Sequence, residues 1–178
     1  TAYAQALTGV FNTAVAIIQQ YLPIVIAGME LVHGDIYFLR ELHEKTQREA
    51  ALIMQRYMKF RRVKDIMGPE KKVDAAPAAA ASGGGGGGGT GELSDTHAVL
   101  DELSLLIQYC TVYLKYTRMI WSGAENKQRK DASGAPVAAL QVFKTPTKFH
   151  LMLDSVLHKY YMDGETALLH SNVSRVLT

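Results

Sequence analysis

From Ile36 to Met67 the apolar or small positions Ile36, Leu39, Leu42, Thr46, Ile53, Tyr57, Phe60 and Met67 recur mostly every three or four residues, which is helical spacing. Glu41 with Lys45 and Glu44 with Arg48 stand in the favourable i,i+4 order, and Gly68-Pro69 supplies a stop. If continuous, this 32-residue stretch makes a rod of about 48 Å. A second pattern runs from Leu100 to Trp121. There the polar residues keep step: Asp101, Ser104, Gln108, Thr111, Lys115, Arg118 and Ser122 draw one narrow wet stripe. The rest, including Leu103, Leu106, Cys110 and Tyr113, predicts a helix buried around most of its circumference, with Ser94 as N-cap and Gly123 as its end. Phe149, Met152, Leu153, Val156, Leu157 and Tyr160 mark another amphipathic helix, which Gly164 breaks or weakens before Glu165 to Leu177.

Two other stretches differ. Ala14 to Val32 is strongly apolar, but Gln19, Gln20, Pro23 and Glu30 interrupt it, leaving far less than the roughly 20 residues a bilayer span requires. A buried helix pair meeting near Pro23 fits better. Val73 to Gly91 is Ala/Pro-rich and then carries seven consecutive glycines. No side chain can pack there, so it reads as a disordered Gly/Ala-rich loop with a reach of about 24 Å. The chain thus divides into a helical segment 1–72 with a long second helix, a flexible linker 73–91 and a helical segment 92–178. Ser122 to Thr147 is a long connection with one short helix at Val137 to Phe143. Nothing shows the period-two alternation of a sheet, so the fold class is all-α: an extended antiparallel bundle or rod of long helices. Thr1 at the start, and an apolar rhythm kept to the end by Leu169, Val173 and Val176, read as a piece of a longer chain.

Composition narrows the function. Of 178 residues 48% are hydrophobic and 20% charged, with a net charge of +2, which excludes disorder throughout and gives no reason to expect nucleic acid as a partner. Cys110 is the only cysteine, so no internal disulfide forms, and a reducing cytosolic side is the default. The polyglycine run satisfies a phosphate-loop pattern trivially, but Thr90-Gly91-Glu92 follows it, not Lys-Ser/Thr. The six histidines never fall at i,i+4. His150 and His158 share a face eight apart but lack carboxylate support, so no metal and no cofactor is expected. Cys110 sits on the buried arc as a small hydrophobe, and the adjacent Asp101 and Glu102 read as N-terminal dipole partners, not as an acid/base pair. No catalytic residue emerges. The densest charge is Lys59, Arg61, Arg62, Lys64, Lys71 and Lys72 against Asp65 and Glu70. It is a solvated helix end or, as the alternative reading, a module for anionic lipid or nucleic acid through Lys59, Arg61, Arg62 and Lys64. A carboxylate-metal bundle enzyme is the third reading.

Three helical seams resemble a known family. Tyr37-Phe38-Leu39-Arg40-Glu41-Leu42-His43-Glu44 runs on to Lys59-Phe60-Arg61-Arg62-Val63. Glu92-Leu93-Ser94-Asp95 leads to Leu100-Asp101-Glu102-Leu103 and then to Tyr113-Leu114-Lys115-Tyr116-Thr117-Arg118. Leu157-His158-Lys159-Tyr160-Tyr161 precedes Glu165 and Val173-Ser174-Arg175. In this order, with a variable loop between the first two, they resemble subunit 4 of the conserved oligomeric Golgi complex, in its middle region. Lys45-Thr46-Gln47, Thr166-Ala167-Leu168 and the polyglycine insert depart from that pattern. The resemblance implies a non-enzymatic helical rod of a vesicle-tethering complex, peripheral on the cytosolic face of the Golgi membrane and acting in retrograde transport. It also implies contacts with other subunits of the complex, a Golgi syntaxin and its Sec1/Munc18-type regulator. Partner-helix contacts are expected at Leu103, Leu106, Tyr113, Phe149, Val156 and Tyr160, where apolar seams stay partly uncovered until another helix lies on them.

Overall fold

The computed structural model describes residues 1–28, 34–67, 89–131 and 147–177, and these are helical almost throughout. Helix α1 spans Ala2–Gly28, α2 Gly34–Phe60, α3 Val63–Met67 and α4 Gly89–Asp131. Helix α5, Lys148–Val156, continues through a π-helical segment, Leu157–Met162, into α6, Asp163–Leu177. Ring contacts of Tyr21 with Phe38 at one end and of Tyr3 with Tyr57 and Phe60 at the other make α2 antiparallel to α1. Contacts of Tyr57 with Val99 and of His43 with Tyr113 make α4 antiparallel to α2 and hence parallel to α1. The α5–α6 rod descends along α4, and also touches α2 and α3. The result is an up-down-up-down bundle, as the sequence pattern predicts.

Its interior follows from register. On α1 Ala4, Leu7, Phe11, Ala14 and Ile18 point inward, and on α4 Leu103, Leu106, Cys110, Tyr113, Thr117 and Trp121 do so. Both sets step by three and four, the spacing that keeps a stripe on one helix face. Each fully buried leucine contributes about 2 kcal/mol through the area it removes from water.

Four boundaries differ from the sequence reading, and a fifth that it left open is decided. Helix α1 passes through Pro23, because a missing N–H near the helix end removes only one bond. The expected 36–67 rod stops at Phe60 and restarts at Val63. Between them Arg62 adopts a left-handed φ of 50°, its carbonyl accepts from the Asp65 and Ile66 amides, and its guanidinium reaches Asp65 at 2.8 Å. Helix α4 starts at Gly89, so Ser94 lies inside it and Asp101 and Glu102 are far from its N-terminus. It also runs past Gly123 to Asp131, since one glycine costs a helix only about 1 kcal/mol and the residues that follow favour helix. Gly164 is buried within α6 and does not break it. The expected stop at Gly68-Pro69, residues 73–88 of the linker and the short helix at Val137 to Phe143 lie outside the described residues.

The π-helical segment answers a register problem. From Val156 the inward residues step by four to Tyr160, Gly164 and Leu168, and repeated fours drift around an ordinary helix. The wider turn at Leu157–Met162 absorbs the drift, and Tyr160 and Tyr161 both pack against the main core.

Candidate functional site

At the centre of the bundle lies a buried polar group. On α2 the side chains of Leu39, His43, Thr46, Gln47, Ala50, Met54 and Tyr57 face inward, so an imidazole and an amide occupy core positions. Gln47 Nε2 lies 2.7 Å from His43 Nε2, and His43 Nδ1 lies 3.0 Å from the Tyr113 hydroxyl. With Gln47 donating to Nε2, the imidazole proton sits on Nδ1 and is donated to the Tyr113 oxygen. Phe11 stacks on Tyr113 with ring centroids 4.4 Å apart. Burial, reinforced by His150, lowers the His43 pKa to about 4 despite Glu44, and burial raises Tyr113 to about 12. Both are therefore neutral at physiological pH. The group joins α1, α2 and α4 and is almost wholly buried, with only Gln47 reaching the wall of a surface groove.

The six expected partner contacts lie inside this same core. Leu103, Leu106, Tyr113, Phe149 and Val156 are buried, and Tyr160 is half-buried against the main cluster. The chain covers these seams with its own helices, so they are not a free docking face. Different residues are exposed on the same elements: Val112 and Met119 at 64% and Leu151 at 61%. On α4 the wet stripe stands in part: Asp101, Gln108, Lys115, Arg118 and Ser122 are exposed, while Ser104 and Thr111 are half-buried. However, Val112 and Met119 beside it are exposed too, so less of the circumference is buried than the pattern implied. A nearly all-apolar circumference does not reveal which part faces inward.

The basic stretch carries less available charge than its sequence. Arg61 pairs with Glu102 at 2.9 Å and Arg62 with Asp65 at 2.8 Å, while Lys59 and Lys64 are exposed. Glu102 thus anchors the α2 end, and beside it Tyr57 donates to the Val99 carbonyl at 3.1 Å. Lys71 and Lys72 lie outside the described residues. Cys110 is buried with its thiol pushed up to about 12 by burial. Among the described residues no group of three or more His, Cys, Asp or Glu could hold a metal ion, and no helix is long and apolar enough to cross a membrane.

Two surface grooves flank α5. One, of about 480 Å³, lies against α2 and is lined by Glu44, Arg48, Ala51, Lys148, Phe149 and Met152 among others. The other, of about 510 Å³, lies against α4, with Ile107, Leu114, Leu151, Leu153 and Leu157 on its apolar surface and Lys115, Arg118, His150 and Asp154 at its edges. The start of α5 shapes both grooves. Thr147 Oγ1 accepts from the His150 amide at 3.4 Å, and His150 Nδ1 accepts from the Thr147 amide at 3.2 Å, a reciprocal cap. Partial burial and the nearby Arg118 lower the His150 pKa, which suits a ring nitrogen that must accept. His158 Nε2 lies 3.3 Å from Asp154, so, against the sequence reading, a carboxylate does stand at the four-residue step between His150 and His158.

Comparison with known protein families gives a match. The family model described as COG4 transport protein, middle alpha-helical bundle, matches residues 1–177. No curated protein and no solved structure matches at a significant level.

Proposed function

Because the chain belongs to the COG4 transport protein family, as its middle α-helical bundle, we propose that it serves as a structural part of a Golgi vesicle-tethering subunit. In this reading it works by protein–protein contacts in retrograde intra-Golgi transport and catalyses no reaction. Its place is the cytosolic face of the Golgi membrane, held there peripherally by the subunits it joins. The single observation that carries the reading is the match of the family model to residues 1–177. The exposed Val112, Met119 and Leu151 support it, since apolar side chains on the outside of a bundle are what a partner helix covers.

The test is affinity purification of the full-length protein from cells, with identification of what travels with it. Other subunits of the tethering complex should co-purify in stoichiometric amounts, and the protein should fractionate with Golgi membranes. A protein that purifies alone and fractionates elsewhere contradicts the reading. The Golgi syntaxin and its Sec1/Munc18-type regulator are further proposed partners, tested by direct binding of the purified components. The alternative, a module for anionic lipid or nucleic acid, is left mainly with Lys59, Lys64 and the 69% exposed Phe60, because Arg61 and Arg62 already pair within the chain.

A further inference from the structure

We infer that the groove between α4 and α5 receives an amphipathic helix of a partner protein with acidic side chains along the edge facing Lys115 and Arg118. The inference rests on the tethering reading above and deepens it by assigning a surface and the chemistry of its occupant.

The floor is apolar: Ile107 and Leu114 from α4, with Leu151, Leu153 and Leu157 from α5 and the π-helical segment. Leu151 is 61% exposed although it lies between two helices, so the groove has an uncovered aliphatic surface. From Ile107 to Arg118 it runs about 17 Å along α4, close to three helical turns. An added strand has nothing to pair with there, because the backbone donors and acceptors of both walls are spent within their own helices. A helix satisfies its own backbone and needs only side-chain contacts.

The edges fix the sign of the occupant. Lys115 and Arg118 are exposed on the α4 side, and neither has a carboxylate partner among the described residues. Asp154 stands on the α5 side, beside His158. Carboxylates on the partner therefore gain by lying along α4 and lose by lying along α5, which orients the incoming helix as well as selecting it. A basic-edged helix meets Lys115 and Arg118 as like charges.

The test titrates two labelled peptides against the full-length protein by fluorescence anisotropy. Both are about 14 residues long with leucines at helical spacing, a length that covers the groove at 1.5 Å per residue. One carries glutamates beside the leucines and the other lysines at the same places. The glutamate peptide should bind more tightly, by about fivefold or more for two edge charges. Lys115→Glu with Arg118→Glu should invert the preference, Leu151→Asp should weaken both peptides, and Asn12→Glu, on the exposed side of α1, should leave both unchanged. These side chains are exposed, and an unchanged circular dichroism spectrum checks that each variant folds. Equal binding of the two peptides, binding of neither, or a preference that survives the charge reversal overturns the inference. So does self-association abolished by the reversal, which would make a second copy the occupant. Co-purification separates the two levels. If the peptides fail while the complex subunits still travel with the protein, the groove assignment falls and the tethering reading stands. If no subunit travels with the protein, the tethering reading falls whatever the peptides do.

Discussion

His43 is a histidine placed where a leucine would serve the packing, and its neutrality is a condition of the fold. In the unfolded chain it titrates near 6.5, and in the bundle burial holds its pKa at about 4. Between those values the unfolded chain holds more protons, so stability rises with pH across the window and is lost as pH falls from 6.5 toward 4. Urea unfolding should show a loss of about 2 kcal/mol between pH ~7.5 and ~5. His43→Gln should flatten most of that slope; the remainder belongs to His150, whose pKa is also lowered and whose ring nitrogen caps α5. An equal slope in the variant would contradict this account. Interior and exterior positions on α4 separate in the same assay. Leu106→Ala, fully buried, should cost about 3 kcal/mol, whereas Val112→Ala should fall within about 0.5 kcal/mol of the unmodified protein. In the sequence His43 looked like one of six scattered histidines. The signal that placed it was its register with Leu39, Ala50, Met54 and Tyr57, which becomes visible only once Leu42 and Ile53 are known to sit half-buried at the flanks.

At the scale of elements the helices themselves were legible, because three- and four-residue spacing is a direct image of a helix facing a core. Their ends were less so. Gly123 and Ser94 carry ordinary stop and start signals, but α4 continues through both, since local preference of about 1 kcal/mol yields to a helix with packed neighbours along its length. The interruption at Arg61-Arg62 carried no glycine to announce it. Tertiary contacts impose it: Arg61 is drawn to Glu102, and Val63 is fully buried at the start of α3. A non-glycine residue at φ 50° is strained, so Arg62→Gly should stabilise the bundle by about 1 kcal/mol, while Arg62→Val should destabilise it by at least as much. Thermal unfolding of the two variants checks the sign. The π-helical segment had a sequence trace in the run of fours at Val156, Tyr160, Gly164 and Leu168, which an ordinary helix cannot keep on one face.

For the whole molecule the bundle class followed from the pattern, while the candidate groove did not. Lys115 and Arg118 were visible as part of a wet stripe, yet their relation to Leu151 exists only once α5 lies alongside α4. Outward apolar side chains also sit elsewhere: Met119 on α4, and Leu169, Val173 and Leu177 along α6. The isolated chain should therefore associate with itself as its concentration rises, and Met119→Lys with Leu169→Lys should shift sedimentation velocity profiles toward monomer without changing helix content. An unmodified chain that sediments as a monomer throughout would count against those faces being adhesive.

The up-down-up-down course has a mechanical corollary. Thr1 lies beside the Tyr57–Phe60 end of the bundle, and α6 descends toward the same end. Tension applied between Thr1 and the end of α6 would thus enter at one pole and peel the helices apart one after another, instead of shearing them along their length. Such a bundle resists pulling weakly from its termini and far better across its flanks, so a load-bearing linkage through it would have to grip the sides of its helices.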